Sequence, residues 1–289
     1  HHDEPVSINF QLSLQKQQVR QTSRTLPAKT QISLTLRELF GDNLEGSGSL
    51  QIVSELELVS NVLLETGTTR DETIITGSPG GIAFEEMTTG ALSGLKWGGG
   101  YSTDIVLLNP HTESIAGELT FFDPDGGAVE ITGAGSPSVA YQIDPGGHFL
   151  LRQSSSSVWP RQVYAVVESK GPMPSGGGIL SLWNESLLVS QTMIPLRATT
   201  HYAWVPVDTL PSLIRHGKSR QTFSIANRTR SPATLRFTLF NSDGSEQGRF
   251  EQVLLPYREQ IFSLADMFNV QEFQGVVRLW SDAEISLNA

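Results

Sequence analysis

The sequence predicts an all-β protein made of tandem antiparallel β-sandwich domains with short capping helices. Three observations carry this. Apolar and polar residues alternate with period two, Gly, Pro, Asn, Asp and Ser cluster between the alternating runs, and the chain repeats itself. Thr103-Asp104-Ile105-Val106-Leu107-Leu108-Asn109 returns as Gln221-Thr222-Phe223-Ser224-Ile225-Ala226-Asn227, at an offset of 118. The turn Asp123-Pro124-Asp125-Gly126 returns at the same offset as Asn241-Ser242-Asp243-Gly244. That period is too long for a solenoid unit and suits a small domain.

The elements follow in order. Val6, Ile8, Phe10, Leu12 and Leu14 alternate with polar residues, which predicts a half-buried strand. Further strands are expected at 30–34, 49–63, 103–109, 115–122, 139–143, 147–152, 162–168, 178–183, 221–226, 233–240, 250–255, 259–262 and 275–280. Leu26-Pro27 and Gln31-Ile32 match Leu255-Pro256 and Gln260-Ile261 at an offset of 229. A short helix is expected after each, at Thr35 to Phe40 and at Ser263 to Phe268. Each opens on a hydroxyl residue with an acid three positions on, Glu38 or Asp266, the arrangement of a capping box. Gly48 to Ser54 then matches Gly275 to Ser281. The middle copy keeps Pro145 and Ser169, with Ser154 to Ser157 as a loop where the others have the helix.

Three copies are therefore expected: an incomplete one with a linker at 1–92, a complete one at 93–200, and one at 201–289 that stops early. The first lacks a counterpart of the Ile105-to-Asn109 strand, and the last lacks one of the Leu58-to-Leu64 continuation. Either the chain is cut from a longer array, or the missing strands come from elsewhere.

Composition narrows the function. Among 289 residues the net charge is -10, with five Lys, and the one basic cluster (Arg215, Lys218, Arg220, Arg228, Arg230) reads as a solvated loop. Nucleic acid is not the expected partner. No apolar run is long enough to span a bilayer as a helix. His1-His2 reads as a tag remnant. Cysteine is absent, which removes disulfides and thiol chemistry and fits export.

No catalytic constellation emerges. Gly46-Ser47-Gly48-Ser49 lacks nucleophile-elbow spacing, and Gly217-Lys218-Ser219 lacks the first glycine of a phosphate loop. The histidines have no metal-ligand spacing beyond His1-His2, and His148 reads as a turn residue. Asp123-Pro124-Asp125-Gly126 has a calcium-loop start without the later ligands, so it reads as a turn with Gly126 at positive φ. Asp71-Glu72 and Glu85-Glu86 read as solvated acids. No cofactor or metal is expected.

Gly98-Gly99-Gly100-Tyr101-Ser102-Thr103-Asp104-Ile105-Val106-Leu107-Leu108-Asn109-Pro110, followed by Gly117-Glu118-Leu119-Thr120-Phe121-Phe122-Asp123, resembles the tandem β-sandwich repeats of large secreted bacterial surface proteins, immunoglobulin-like or fibronectin type III-like in layout. The resemblance implies an extracellular or cell-surface setting and brings no catalytic residues.

The expected function is a non-catalytic structural or adhesive repeat protein, partnered by itself or another surface protein. Two site readings follow. Val6, Ile8, Phe10, Leu12 and Leu14 form either a donor strand that completes a neighbouring molecule's sandwich, building a filament, or a strand of the chain's own first domain. Trp97, Tyr101, Tyr202 and Trp204 form either interdomain packing or a polysaccharide platform, the latter making the chain a carbohydrate-binding accessory module of a secreted enzyme. Trp183 is expected in the core. Exposed coplanar aromatics on one face would favour sugar, and aromatics buried at junctions would favour a scaffold.

Overall fold

A computed structural model of the chain describes residues 4–14, 18–42, 44, 48–56, 61–67, 73–79, 87–131, 135–209 and 221–289. The described residues are all-β, with antiparallel sheets and two five-residue helices. No helix among them is long and apolar enough to cross a membrane. Asp71-Glu72, Glu85-Glu86, Gly46-Ser47 and the stretch holding Arg215, Gly217-Lys218-Ser219 and Arg220 lie outside the described residues, as do His1-His2.

The first unit comprises β1 (Val6–Leu14), β2 (Gln18–Leu26), α1 (Leu36–Phe40) and β3 (Gly48–Ser54), with β1 central in the sheet order β2-β1-β3. A separate hairpin pairs β4 (Asn61–Gly67) with β5 (Thr73–Pro79). The alternation in β1 has a direct outcome. Val6, Ile8 and Phe10 cluster with Leu39 of α1, with Leu26, Leu34, Phe40 and Leu50 packed around them. Leu12 is buried too, and Leu14 half-buried. Burial on this scale is worth ~1.5–3 kcal/mol per large side chain. In this structure β1 is a strand of its own unit's sheet: both its edges are paired within the chain, Leu12 standing between Arg20 and Leu50.

The second unit is two facing sheets. One is β14 (Arg197–Ala198), β6 (Thr89–Trp97), β11 (Arg161–Ser169), β8 (Ile115–Phe122) and β9 (Ser138–Ile143), in that order. The other is β10 (His148–Ser154), β7 (Tyr101–Leu108), β12 (Ser175–Asn184) and β13 (Leu187–Pro195). Leu92, Leu95, Ile105, Leu107, Phe121 and Val163 fill the space between.

The third unit comprises β15 (Thr200–Asp208), β16 (Thr222–Asn227), β17 (Ala233–Asn241), β18 (Glu246–Leu254), β19 (Glu259–Ser263), α2 (Leu264–Phe268) and β20 (Gln274–Asn288). β20 serves both layers: residues 275–281 pair with β17, and 285–288 with β16.

Register shows the repetition directly. Ile115 faces Ile143 in β8–β9, Ala233 faces Leu254 in β17–β18, and Val6 faces Leu26 in β1–β2. Five pairs later in each ladder stand Thr120–Ser138, Thr238–Arg249 and Gln11–Gln21. β1 is thus the first unit's β8 or β17, which is why it is central.

Three local expectations need correction. Residues 30–34 form no strand. In the third unit the same segment is β19, held by β16, and among the described residues the first unit has no strand in that place. The Leu-Pro match is one residue out of structural register: the left-handed turn residue is Lys29 in one copy and Tyr257 in the other. Finally, only one capping box forms. Thr35 and Glu38 satisfy each other's backbone N–H groups, whereas Ser263 makes no capping bond. Asp266 is one methylene shorter than Glu38, so its carboxylate has less reach toward the cap.

Candidate functional site

The buried asparagines explain the strongest repeat signal. Asn109 Nδ2 donates to the Glu113 and Ile143 carbonyls, and its Oδ1 accepts from the His111 N–H. Asn227 does the same with Ser231, Leu254, Leu255 and Thr229. Both side chains are sealed from solvent, and each pins one loop to the turn beneath it. These are structural pins rather than reactive groups.

The Asp-Pro-Asp-Gly turn is also structural. Asp123 Oδ1 accepts from the N–H groups of Asp125 and Gly127, and Gly126 takes φ 86°. Its counterpart Gly244 takes φ 84°. Among the described residues, no group of three or more His, Asp or Glu could hold a metal ion.

The candidate aromatic residues make ring contacts within their own units. Trp97 is 4% exposed and lies edge-on to Phe121 inside the second unit's core. Tyr101 is half-buried, with Lys96 Nζ 5.4 Å from its ring centre. Trp183, expected in the core, is instead partly exposed on β12, its indole N–H donating to the Ser102 hydroxyl. Tyr202 and Trp204 are 46% and 52% exposed on the outer face of the third unit.

Other residues make the junction between the second and third units. Phe122 stacks on Tyr164, and these two with Val166 receive Ala226 of the third unit. The Tyr164 hydroxyl donates to the Tyr257 carbonyl at 2.7 Å. Glu259 is buried at the centre. Its Oε1 accepts from the Gly94 N–H at 2.6 Å and the Ser224 hydroxyl at 2.7 Å, and its Oε2 accepts from Gln162 Nε2 at 3.0 Å. The Glu259 N–H in turn donates to the Pro124 carbonyl. Gly94 sits at φ 85°, and a side chain there would press on Ser224 at 3.4 Å.

Electrostatics set the character of this junction. Burial pushes the Glu259 carboxyl above its ordinary value, against the pull of its three donors. Burial also raises the Tyr164 phenol, and the neighbouring Glu259 charge adds to the effect. Arg228, expected in a solvated loop, is held mostly inside the junction and reaches the Gly90 carbonyl. Burial lowers its proton affinity. The ion pair of Arg258 with Asp125 spans the rim at 3.2 Å, exposed and worth little. Nothing in the sequence marked Glu259, because one acid at the start of a short strand carries no periodic signal.

The contact recurs at the first junction. Ser49 donates its hydroxyl to the Gly146 carbonyl. Ser49 faces Ser13 in the β1–β3 ladder as Tyr164 faces Phe122 in β8–β11. Gly146 and Tyr257 are the left-handed residues of matching turns, φ 68° and 57°. One turn therefore docks on one register position of the preceding sheet, twice.

On the third unit the corresponding position is Val276, facing Phe240. Around it runs an open face of aromatic and arginine side chains. Tyr202 stands opposite Trp280, which stands opposite Arg236, and Trp204 stands opposite Arg278. The Arg236 guanidinium lies 4.8 Å from the Trp280 ring centre, and that of Arg278 lies 5.7 Å from Trp204 and 5.1 Å from Phe240. The Tyr202 and Trp204 ring planes meet at 82°.

Comparison with protein-family models and with curated proteins finds no match.

Proposed function

We propose that the chain is a non-catalytic structural or adhesive repeat protein of an extracellular or cell-surface setting, whose sandwiches stack head to tail into a stiff array. The observation that carries this is the repeated docking contact, Ser49 to Gly146 and then Tyr164 to Tyr257. A junction that buries Glu259 among donors from both units resists bending, because opening it breaks several buried hydrogen bonds at once. Stacking here joins a sheet face to a turn and leaves β1 in its own sheet.

Small-angle X-ray scattering of the dilute full chain tests the reading. The expected result is a single extended, docked shape, with a broader distribution for the Tyr164→Phe/Glu259→Ala double variant. A wild-type chain already as flexible as that variant would refute the stiff array.

One observation favours the second reading, a carbohydrate-binding accessory module. Tyr202, Trp204 and Trp280 are exposed on one sheet face. Their geometry suits it less well: Tyr202 stands edge-on to Trp204, and two guanidinium groups lie against the aromatic rings.

A further inference from the structure

The loop between β10 and β11 departs from the other two units. In the first unit the same place holds α1, which packs Leu39 and Phe40 into its own core. In the third it holds α2, which does the same with Leu264, Met267 and Phe268. The second unit has Ser155-Ser156-Ser157-Val158-Trp159-Pro160 there, and its apolar residues face water. Val158 and Trp159 are 81% and 79% exposed, whereas no other large apolar side chain among the described residues exceeds 54%. Apolar side chains placed outward where sister units place them inward mark an interaction surface.

The tip is held by its own hydrogen bonds. The Ser157 carbonyl accepts from the Gly99 N–H at 2.7 Å. The Ser157 hydroxyl accepts from the Trp159 N–H and donates to the Trp159 carbonyl. The Ser155 hydroxyl accepts from the Ser157 N–H. Pro160 brings no N–H at all. Gly98, at φ 78°, lets the loop lie this close, since a Cβ there would stand 2.8 Å from the Trp159 carbonyl oxygen.

Two features identify what covers the tip. The first is that internal bonding. A protein pocket can offer hydrogen-bond partners to a docked loop, but bilayer hydrocarbon cannot, so a backbone that enters it must bring its own. The second is charge. The chain carries a net charge of -10, yet no acid lies between Asp144 and Glu168. Within that stretch Arg152 pairs with Asp104, and Arg161, directly after the tip, is exposed. An indole suits the level of lipid headgroups, and a guanidinium suits their phosphates.

We propose that Val158 and Trp159 form a membrane-contact tip, which enters the interfacial zone of a lipid bilayer while Arg161 meets the headgroup phosphates. The surface it fits is zwitterionic, because an anionic one would repel a chain of this net charge. Two side chains make a peripheral, reversible anchor, with half-binding at on the order of 1 mM lipid. The inference goes beyond the array reading and uses none of its junctions.

Co-flotation of the full chain with phosphatidylcholine vesicles, up to about 10 mM lipid, tests it, since that range brackets such an affinity. Wild type is expected to float with the vesicles. The Val158→Ser/Trp159→Ser variant should bind at least ~10-fold more weakly while melting at the wild-type temperature, because both side chains are exposed. Vesicles with brominated acyl chains should quench part of the wild-type tryptophan fluorescence. Trp159→Phe should still bind and lose that quenching.

Four results overturn the proposal. One is a wild type that leaves the vesicles unbound at about 10 mM lipid, beyond the range of such affinities. Another is quenching retained in Trp159→Phe, which would put a different tryptophan against the lipid. The third is self-association without lipid that Val158→Ser/Trp159→Ser abolishes, which would assign the tip to a second copy. The fourth is retardation by soluble xylan or β-glucan in affinity electrophoresis that the same variant abolishes, which would assign it to polysaccharide. The scattering experiment contains no lipid. A stiff chain that ignores vesicles would therefore remove this inference alone, and a flexible chain that binds them would remove the array reading alone.

Discussion

The Tyr164 hydroxyl donates to the backbone carbonyl of Tyr257, 93 residues further along, across the junction of two sandwiches. The tyrosine comes from β11, in the middle of a sheet whose outer face would otherwise meet water. The carbonyl comes from a turn forced into the left-handed region, which aims it outward. Tyr164→Phe keeps the stacking on Phe122 and deletes the bond. Leaving the carbonyl unpartnered should loosen docking by about 1–2 kcal/mol. Calorimetry should show the second and third units melting further apart, with the core of each unchanged.

Two glycines separate backbone strain from packing between units. Gly126 and Gly244 have nearly the same positive φ in equivalent turns. A Cβ at Gly126 would lie 2.7 Å from the Tyr257 carbonyl oxygen, whereas at Gly244 nothing lies within 4 Å. Gly244→Ala should cost only the conformational term, on the order of 1 kcal/mol. Gly126→Ala should cost that and push the third unit off its seat as well. Equal losses in urea denaturation would show that the turn bears no weight at the junction.

Glu259 makes docking depend on pH. Its carboxyl is raised above the ordinary 4.5, so the docked state holds the proton more tightly than the undocked state. The stabilisation is full below the ordinary carboxyl value and is lost as pH rises through the raised one. Docking should therefore be firmer in mild acid than at neutral pH. Glu259→Gln should flatten the profile while keeping the junction, because the Gln162 amide can turn over to accept from the new one. An unchanged profile in that variant would place the titrating group elsewhere.

The two asparagine pins make a sharper prediction than their burial alone. Asn227 Nδ2 faces the carbonyls of Ser231, Leu254 and Leu255. Asn227→Ala should cost about 2–3 kcal/mol for the groups left unpaired. Asn227→Asp should cost more at neutral pH, since it presents an oxygen to three oxygens, and should recover part of the loss in acid as the new carboxyl protonates. Chemical denaturation at two pH values reads both effects.

Much of the architecture was legible because it is written in period and repetition. Val6 to Leu12 read as a one-sided strand, and its inner face is buried as that pattern demands. Asn109 and Asn227 stood out as a repeat, and both pin the same loop in the same way. What failed to show was tertiary. A perfect alternation cannot say whether a strand's partners are its own, so β1 suited a donor as well as a central strand. Tyr202 and Trp204 fell at a sequence boundary, which says nothing about the side of the sheet they face. The residues that do join the units, Glu259, Gln162, Ser224 and Tyr164, sit far apart in ordinary strand contexts and meet only after two sandwiches dock.

Spin labels test that docking most directly, because the chain has no cysteine to interfere. Ala140 and Ser242 are exposed, one on the second unit and one on the third. With Ala140→Cys and Ser242→Cys both labelled, pulsed dipolar spectroscopy reads the distance between the two sandwiches. A stacked junction predicts one narrow distribution, which broadens when Tyr164→Phe and Glu259→Ala are added. A broad distribution in the otherwise unaltered chain, unchanged by those substitutions, would contradict the claim that each sandwich is seated on the one before it.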